Sequence, residues 1–192
     1  MNLAPMNLVT DAWMLLMAYW LISAWNVKRV KYVAPSHVRI TQFLFLVPGC
    51  VLLFADSLRK GLLRIPVLPK TTVTADFGIA ITFAGIAFAI WARYCLGRNW
   101  SSEVAIKQDH ELIQSGPYRW IRHPIYTGII TGAWGTAIVA GQLGAFLGVI
   151  LITMGFAYKG RQEELRLRGV FGDSWAIHEQ RTGMFLPRLR RT

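Results

Sequence analysis

Apolar residues fall in long blocks separated by short basic gaps. At about 20 residues per crossing of a bilayer, the blocks predict transmembrane helices over Leu8–Trp25, Ile40–Leu58 and Thr74–Leu96. Asp11, near the start of the first block, is expected at the interface. No basic region precedes that block and no small-residue cleavage site follows it, so it does not read as a signal peptide. Pro48-Gly49 should kink the second helix, because proline removes a backbone donor and clashes with the preceding turn. The stretch Gly97–His123 is too polar for lipid. Ile125–Tyr158 is apolar throughout but has only 34 residues and is interrupted at Gly141-Gln142-Leu143-Gly144. It predicts two short helices in a hairpin, with Gly128, Gly132, Gly135, Gly148 and Gly155 letting the two backbones approach. Lys159–Gly169 then reads as a helix emerging into water, ended by Gly169. Asp173–Arg181 reads as a second short helix, closed off by Pro187.

The resulting fold class is all-α: a polytopic integral membrane protein of about five spans with C-terminal helices in water. It forms one unit over 1–192, with three spans in 1–96 and a functional half in 97–192. Composition agrees: 54% of the residues are hydrophobic and 16% charged, whereas a soluble domain carries about 25% charge. The net charge of +11 lies in the gaps and the tail, not in the patch a nucleic-acid binder would carry. Placing the C-terminus inside puts 17 of the 21 lysines and arginines on the cytoplasmic side. The other four (Arg59, Lys60, Arg64 and Lys70) lie outside, so the basic-residue rule gives N-out, C-in. Both polar segments then share one face, as in a multi-pass protein of a prokaryotic inner membrane. Cys50 and Cys95 sit in apolar runs without ligand spacing and read as buried free thiols.

The chemistry-bearing residues crowd into Asp109–Gly128. Gly116-Pro117 marks a turn, and His123-Pro124 places proline in the first turn of the next helix, whose free amides suit an anion. The acidic pair Glu163-Glu164 follows the hairpin. Together they suit a ligand carrying both a carboxylate and an ammonium or sulfonium group. Duller roles exist for each: Tyr118 and Tyr126 as interfacial belt residues, Glu164 paired with Arg168 along a helix, Lys159 and Arg161 as headgroup anchors. Two histidines without a thiolate or carboxylate set give little reason to expect a metal.

These residues carry a resemblance. Leu112-Ile113-x-Ser115-Gly116-Pro117-Tyr118, Arg122-His123-Pro124-x-Tyr126-x-Gly128, Glu163-Glu164-x-x-Leu167-x-x-x-Phe171-Gly172-x-x-Trp175 and Leu186-Pro187-x-Leu189 resemble the isoprenylcysteine carboxyl methyltransferase family and its phospholipid N-methyltransferase relatives. The likeness covers about Leu96–Leu189. It implies S-adenosylmethionine held at the cytoplasmic face, with cofactor contacts at His110, Glu111, Leu112, Ile113, Tyr118, His123, Pro124, Ile125, Tyr126 and Glu163. In eukaryotic members a basic residue just before the acidic pair contacts the substrate carboxylate; here Lys159 and Arg161 stand there. Where the family has a late tyrosine, this chain has Trp175.

The resemblance implies methyl transfer to a lipid-like or prenylated acceptor drawn from the bilayer, at a carboxylate oxygen. An ionised carboxylate needs no general base, whereas an ammonium must first lose a proton, and the region offers few bases besides the cofactor contacts. An NADPH-dependent membrane reductase of the sterol-reductase type, or a non-enzymatic membrane assembly protein, is the alternative.

Overall fold

The computed structural model describes residues 4–24, 30–32, 36–97, 106–107 and 112–188. Its helices are α1 (Ala4–Ala24), α2 (Ser36–Phe54), α3 (Thr72–Leu96), α4 (Pro124–Ala140), α5 (Leu143–Phe171) and α6 (Asp173–Arg181). Two short strands, β1 (Val30–Tyr32) and β2 (Ile106–Lys107), pair antiparallel, a small addition to the expected all-α pattern. Four helices (α1, α2, α3 and α5) are long and apolar enough to cross a membrane, and α4 is an apolar helix of shorter length. The chain is a polytopic membrane protein. Rows of exposed apolar side chains such as Met14, Leu21, Phe43 and Leu44 are the surface that lipid must cover.

The helices pair as α3 on α4 and α2 on α5, with α4 also against α5 and α1 lying on α3. This corrects the expected use of the glycines. A methyl group at Gly85 of α3 would stand 2.4 Å from the backbone nitrogen of Gly132, and one at Gly135 would stand 2.5 Å from that of Thr82. Gly128 likewise meets Ala89, while Gly148 and Gly155 meet Gly49 and Leu46 of α2. The glycines of the hairpin therefore bring in α3 and α2 from either side instead of drawing α4 and α5 together. Without a hydrophobic driving force in lipid, such close backbone approach is what holds helices in contact. Leu53, Ala133, Ala137, Ala145, Val149 and Ile152 form the core where α2, α4 and α5 meet.

Three further expectations change. The Lys159–Gly169 segment is not a separate helix: α5 runs unbroken for 29 residues, and the chain turns at Gly172 with φ 50°. Helix α2 ends at Phe54, four residues early. Both cysteines are free, but Cys50 is exposed at the lipid-facing surface and Cys95 is half-buried.

Candidate functional site

The site forms where the start of α4 meets the second half of α5. Pro124 occupies the first turn of α4 and His123 precedes it. Gly160 of α5 lies opposite: a methyl group there would stand 2.6 Å from Met184 Cε and 3.4 Å from the His123 ring. The missing side chain leaves room for Met184 of the covering segment, while the imidazole lies at ordinary contact distance from this point of α5.

His123 is 6% exposed and sits between two carboxylates. Its Nδ1 is 3.5 Å from Glu163 Oε2 and its Nε2 is 3.2 Å from Glu164 Oε1. Burial alone would push the imidazole pKa down, but hydrogen bonds and charge from Glu163 and Glu164 outweigh it and hold the pKa above its ordinary value. The Tyr126 ring stacks on the imidazole at 5.2 Å, and its hydroxyl donates to Glu163 Oε1 at 2.6 Å. Lys159 Nζ lies 3.9 Å from the same oxygen and 5.3 Å from the centre of the Tyr126 ring. A carboxylate beside an aromatic face is a receptor for a positive centre.

The C-terminal segment closes over this corner. The backbone N–H groups of Arg122 and His123 donate to the carbonyls of Gly183 and Met184 at 2.9 and 3.1 Å. Thr127 Oγ1 donates to the Phe185 carbonyl at 2.8 Å. Arg122 Nε donates to Glu164 Oε1 at 2.7 Å while its Nη1 reaches the Thr182 carbonyl at 2.6 Å.

The structure thus brings together His123, Tyr126, Lys159 and Glu163. Tyr118 and Ile125 lie close by, in an apolar cluster with Ala92 that Ile113 packs against. Burial raises the Tyr118 phenol far above its usual range, with the Glu163 charge adding to the effect. Leu112 is half-buried and Pro124 buried. Arg161 is exposed, unlike Lys159. His110 and Glu111 lie outside the described residues. Trp175 is buried, and its indole N–H has no acceptor among the described residues.

Two contacts depart from the sequence reading. Glu164 pairs with Arg122 and His123, not with Arg168, which binds Glu179 of α6 at 2.7 Å. Arg122 stands in the Arg122-His123-Pro124 motif without an expected partner, and Thr182–Phe185, which fasten the site from outside with it, carry no expected role. The neighbouring Leu186-Pro187-x-Leu189 motif is the sequence signal for Thr182–Phe185. Phe156 was also missed; its ring lies 4.9 Å from that of Tyr126.

Residues 78–168 match the Isoprenylcysteine carboxyl methyltransferase (ICMT) family. The chain is similar to a protein-S-isoprenylcysteine O-methyltransferase of Schizosaccharomyces pombe, with 32% identity over 47% of this chain and 40% of that protein. It is similar to protein-S-isoprenylcysteine O-methyltransferase B of Arabidopsis thaliana, with 25% identity over 59% of each. An uncharacterised protein of Bacillus subtilis, YpbQ, shares 24% identity over 55% of this chain and 61% of its own length. The aligned regions span roughly two-fifths to three-fifths of these relatives. The family segment contains His123, Tyr126, Lys159, Glu163 and Glu164, whereas the closing residues Thr182–Phe185 lie beyond it.

Proposed function

We propose that this protein transfers a methyl group from S-adenosylmethionine to a lipophilic acceptor carrying a carboxylate, a prenylated cysteine or a molecule of that type. The observation that carries this reading is the corner made by Glu163 Oε1, the Tyr126 ring and His123, within the segment that matches the family. The donor set fits the cofactor: a carboxylate and an aromatic face for its positive groups, with buried Tyr118 and Ile125 as apolar neighbours. In this reading Glu163, Tyr126 and His123 hold the cofactor, and Lys159 or Arg161 orients the acceptor's carboxylate. His110 and Glu111 complete the cofactor contacts.

When bound, the cofactor supplies a methyl group already activated by sulfonium charge. The chain has only to align acceptor and donor and to keep water out. The C-terminal cover over His123 serves that exclusion, and an ionised carboxylate attacks without a general base. The lipid-facing helices suit an acceptor arriving from the bilayer, with the site on the cytoplasmic face by the basic-residue rule.

The test is transfer of labelled methyl from S-adenosylmethionine to an S-prenylated cysteine with a free carboxylate, by purified protein in lipid. The expected product is a base-labile methyl ester, absent when the acceptor is the carboxamide. Label that is stable to base, on an amine, would overturn the carboxylate assignment. Glu163→Gln should weaken cofactor binding about tenfold or more, about 1.4 kcal/mol. Unchanged affinity by calorimetry would remove Glu163 from the cofactor site.

A further inference from the structure

The ring of His123 meets a carboxylate at each of its nitrogens. Nδ1 faces Glu163 Oε2 and Nε2 faces Glu164 Oε1, while Tyr126 stacks on the ring and Phe185 lies tilted against it. We infer that Glu164 and Arg122 are positioning residues that keep His123 an imidazolium at neutral pH, and that this charged ring fixes the Glu163 carboxylate for the cofactor. The inference rests on the methyltransferase reading for the identity of the ligand. It gives a role to Arg122 and Glu164, which that reading leaves without one.

The geometry leaves a neutral ring no good arrangement. A neutral imidazole has one N–H and one lone pair, whereas an imidazolium has two N–H groups and an ionised carboxylate can only accept. With a carboxylate oxygen at each nitrogen, either neutral tautomer turns a lone pair towards one of them. Only the charged ring donates to both. The carboxylates themselves are held ionised by other donors: the Tyr126 hydroxyl binds Glu163 Oε1 at 2.6 Å and Arg122 Nε binds Glu164 Oε1 at 2.7 Å. Burial would raise the Glu164 carboxyl, but the bonds and charges of His123 and Arg122 hold it at about 2.

The hold runs inward from the cover. Arg122 is tied to the Thr182 carbonyl and to Glu164, and Glu164 shares its Oε1 between Arg122 and His123. Glu163 then has Tyr126 on Oε1 and His123 on Oε2, which sets the plane of its carboxylate. A ring that loses its proton while still donating to Glu164 presents a lone pair to Glu163 instead. Three more titratable groups stand near: the Lys159 ammonium 3.9 Å from Glu163 Oε1, the Tyr118 phenol beside Glu163, and His178 of α6 beside Arg122. In the proposed cofactor set, a carboxylate at Glu111 adds to the hold on the proton and a charged His110 opposes it. Neither changes which atoms the two ring nitrogens face. Protonated and engaged at both nitrogens, His123 is not a base for the acceptor.

The experiment titrates the full-length protein, carrying nitrogen-labelled histidine, by NMR, with His123→Gln to assign the signal. Both nitrogens of wild-type His123 are expected to stay protonated at about pH 7.5, about one unit above the ordinary midpoint. Glu164→Gln keeps an oxygen for Arg122 but removes the charge, and is expected to lower the midpoint by about one unit or more. Calorimetry supplies the second readout. Wild-type affinity for S-adenosylmethionine is expected to stay within about twofold between about pH 5.5 and 8, whereas Glu164→Gln matches it at the acid end and falls about fivefold by about pH 8. A wild-type His123 that titrates at its ordinary value overturns the inference, even if Glu164→Gln does not fold, and leaves the methyltransferase reading intact. A midpoint unmoved by Glu164→Gln overturns it too, as does an equal loss of affinity at every pH, the mark of a purely structural residue. A wild type that titrates as expected yet binds no S-adenosylmethionine overturns the methyltransferase reading and with it the role of Glu163, while the held charge on His123 stands.

Discussion

The guanidinium of Arg122 holds the carboxylate of Glu164 at 2.7 Å, across 42 positions of sequence. The two side chains are only 10% and 13% exposed, and each has a second duty: Arg122 binds the Thr182 carbonyl and Glu164 binds His123. Removing one partner leaves the other charge buried, which costs about 3–5 kcal/mol, whereas replacing both by apolar groups of similar size costs far less. Glu164→Ala should therefore lower the melting temperature in detergent much more than the double change Arg122→Met with Glu164→Leu. A double variant as unstable as the single one would show that the pair does not act as a unit.

Two histidines give this end of the molecule opposite responses to pH. The pKa of His123 is raised in the fold by Glu163 and Glu164 despite burial. Its charged form stabilises the fold fully below about 6.5, the unfolded value, and that stability is lost as pH rises through the raised folded value. His178 of α6 is shifted the other way, first by burial and then by the charge of Arg122. Its contribution is present above about 6.5 and is lost as pH falls through the lowered value. Melting curves across pH should show both limbs. His123→Gln should flatten the alkaline one and His178→Gln the acid one; an alkaline limb that survives His123→Gln would assign it elsewhere.

Glycine has opposite effects at two positions. At Gly85 an added methyl group would meet the backbone of Gly132 at 2.4 Å, and backbone cannot yield as a side-chain tip does. Gly85→Ala should force α3 and α4 apart and cost about 1–3 kcal/mol. At Gly169, inside α5, an added methyl group meets nothing within 4 Å. Gly169→Ala should stabilise by about 0.5–1 kcal/mol, through helix propensity and the lost freedom of the unfolded chain. Thermal unfolding of both variants decides it, and a neutral Gly85→Ala would mean that the α3–α4 contact yields.

The spans were legible because lipid demands about 20 apolar residues per helix, and the start of α4 because proline after histidine has few places to go. Asp173–Arg181 was read with the bounds it has. The continuity of α5 was not legible. Gly160 and Gly169 look like breaks in a string, but Gly160 leaves room for the Met184 side chain of the covering segment, and no string says what lies opposite. The glycine stripe of α4 was visible, yet which helix it would receive depends on packing between segments far apart in sequence. The pairing of Glu164 with Arg122 was hidden for the same reason: Arg168, four residues on, offered a local partner that α6 takes instead.

Arg59 shows how far a basic loop residue can depart from its reading. Counted among the charges of an exterior loop, it is 1% exposed. Its Nε donates to Gln142 Oε1 at 2.9 Å, its Nη1 to the carbonyls of Leu52 and Leu53 at 2.8 and 2.9 Å, and its Nη2 to Asp56 at 2.7 Å. It thus satisfies the last carbonyls of α2, which have no partner within the helix, and ties them to Gln142, the residue just before α5. The hydrogen bond from Arg59 also holds the Asp56 carboxyl below its usual range against a small opposing effect of burial. This contribution is present above about pH 4 and is lost as pH falls through the lowered value. Arg59→Met should cost about 1–3 kcal/mol, because it leaves the Leu52 and Leu53 carbonyls and Gln142 Oε1 without their donor, and Arg59→Lys should recover only part, because one ammonium cannot reproduce the planar fork. The site at His123 is at the opposite end of α4, so S-adenosylmethionine affinity measured well below the melting temperature should be unchanged. A loss of affinity in folded Arg59→Lys would mean that the two ends of the bundle are coupled through α4 and α5.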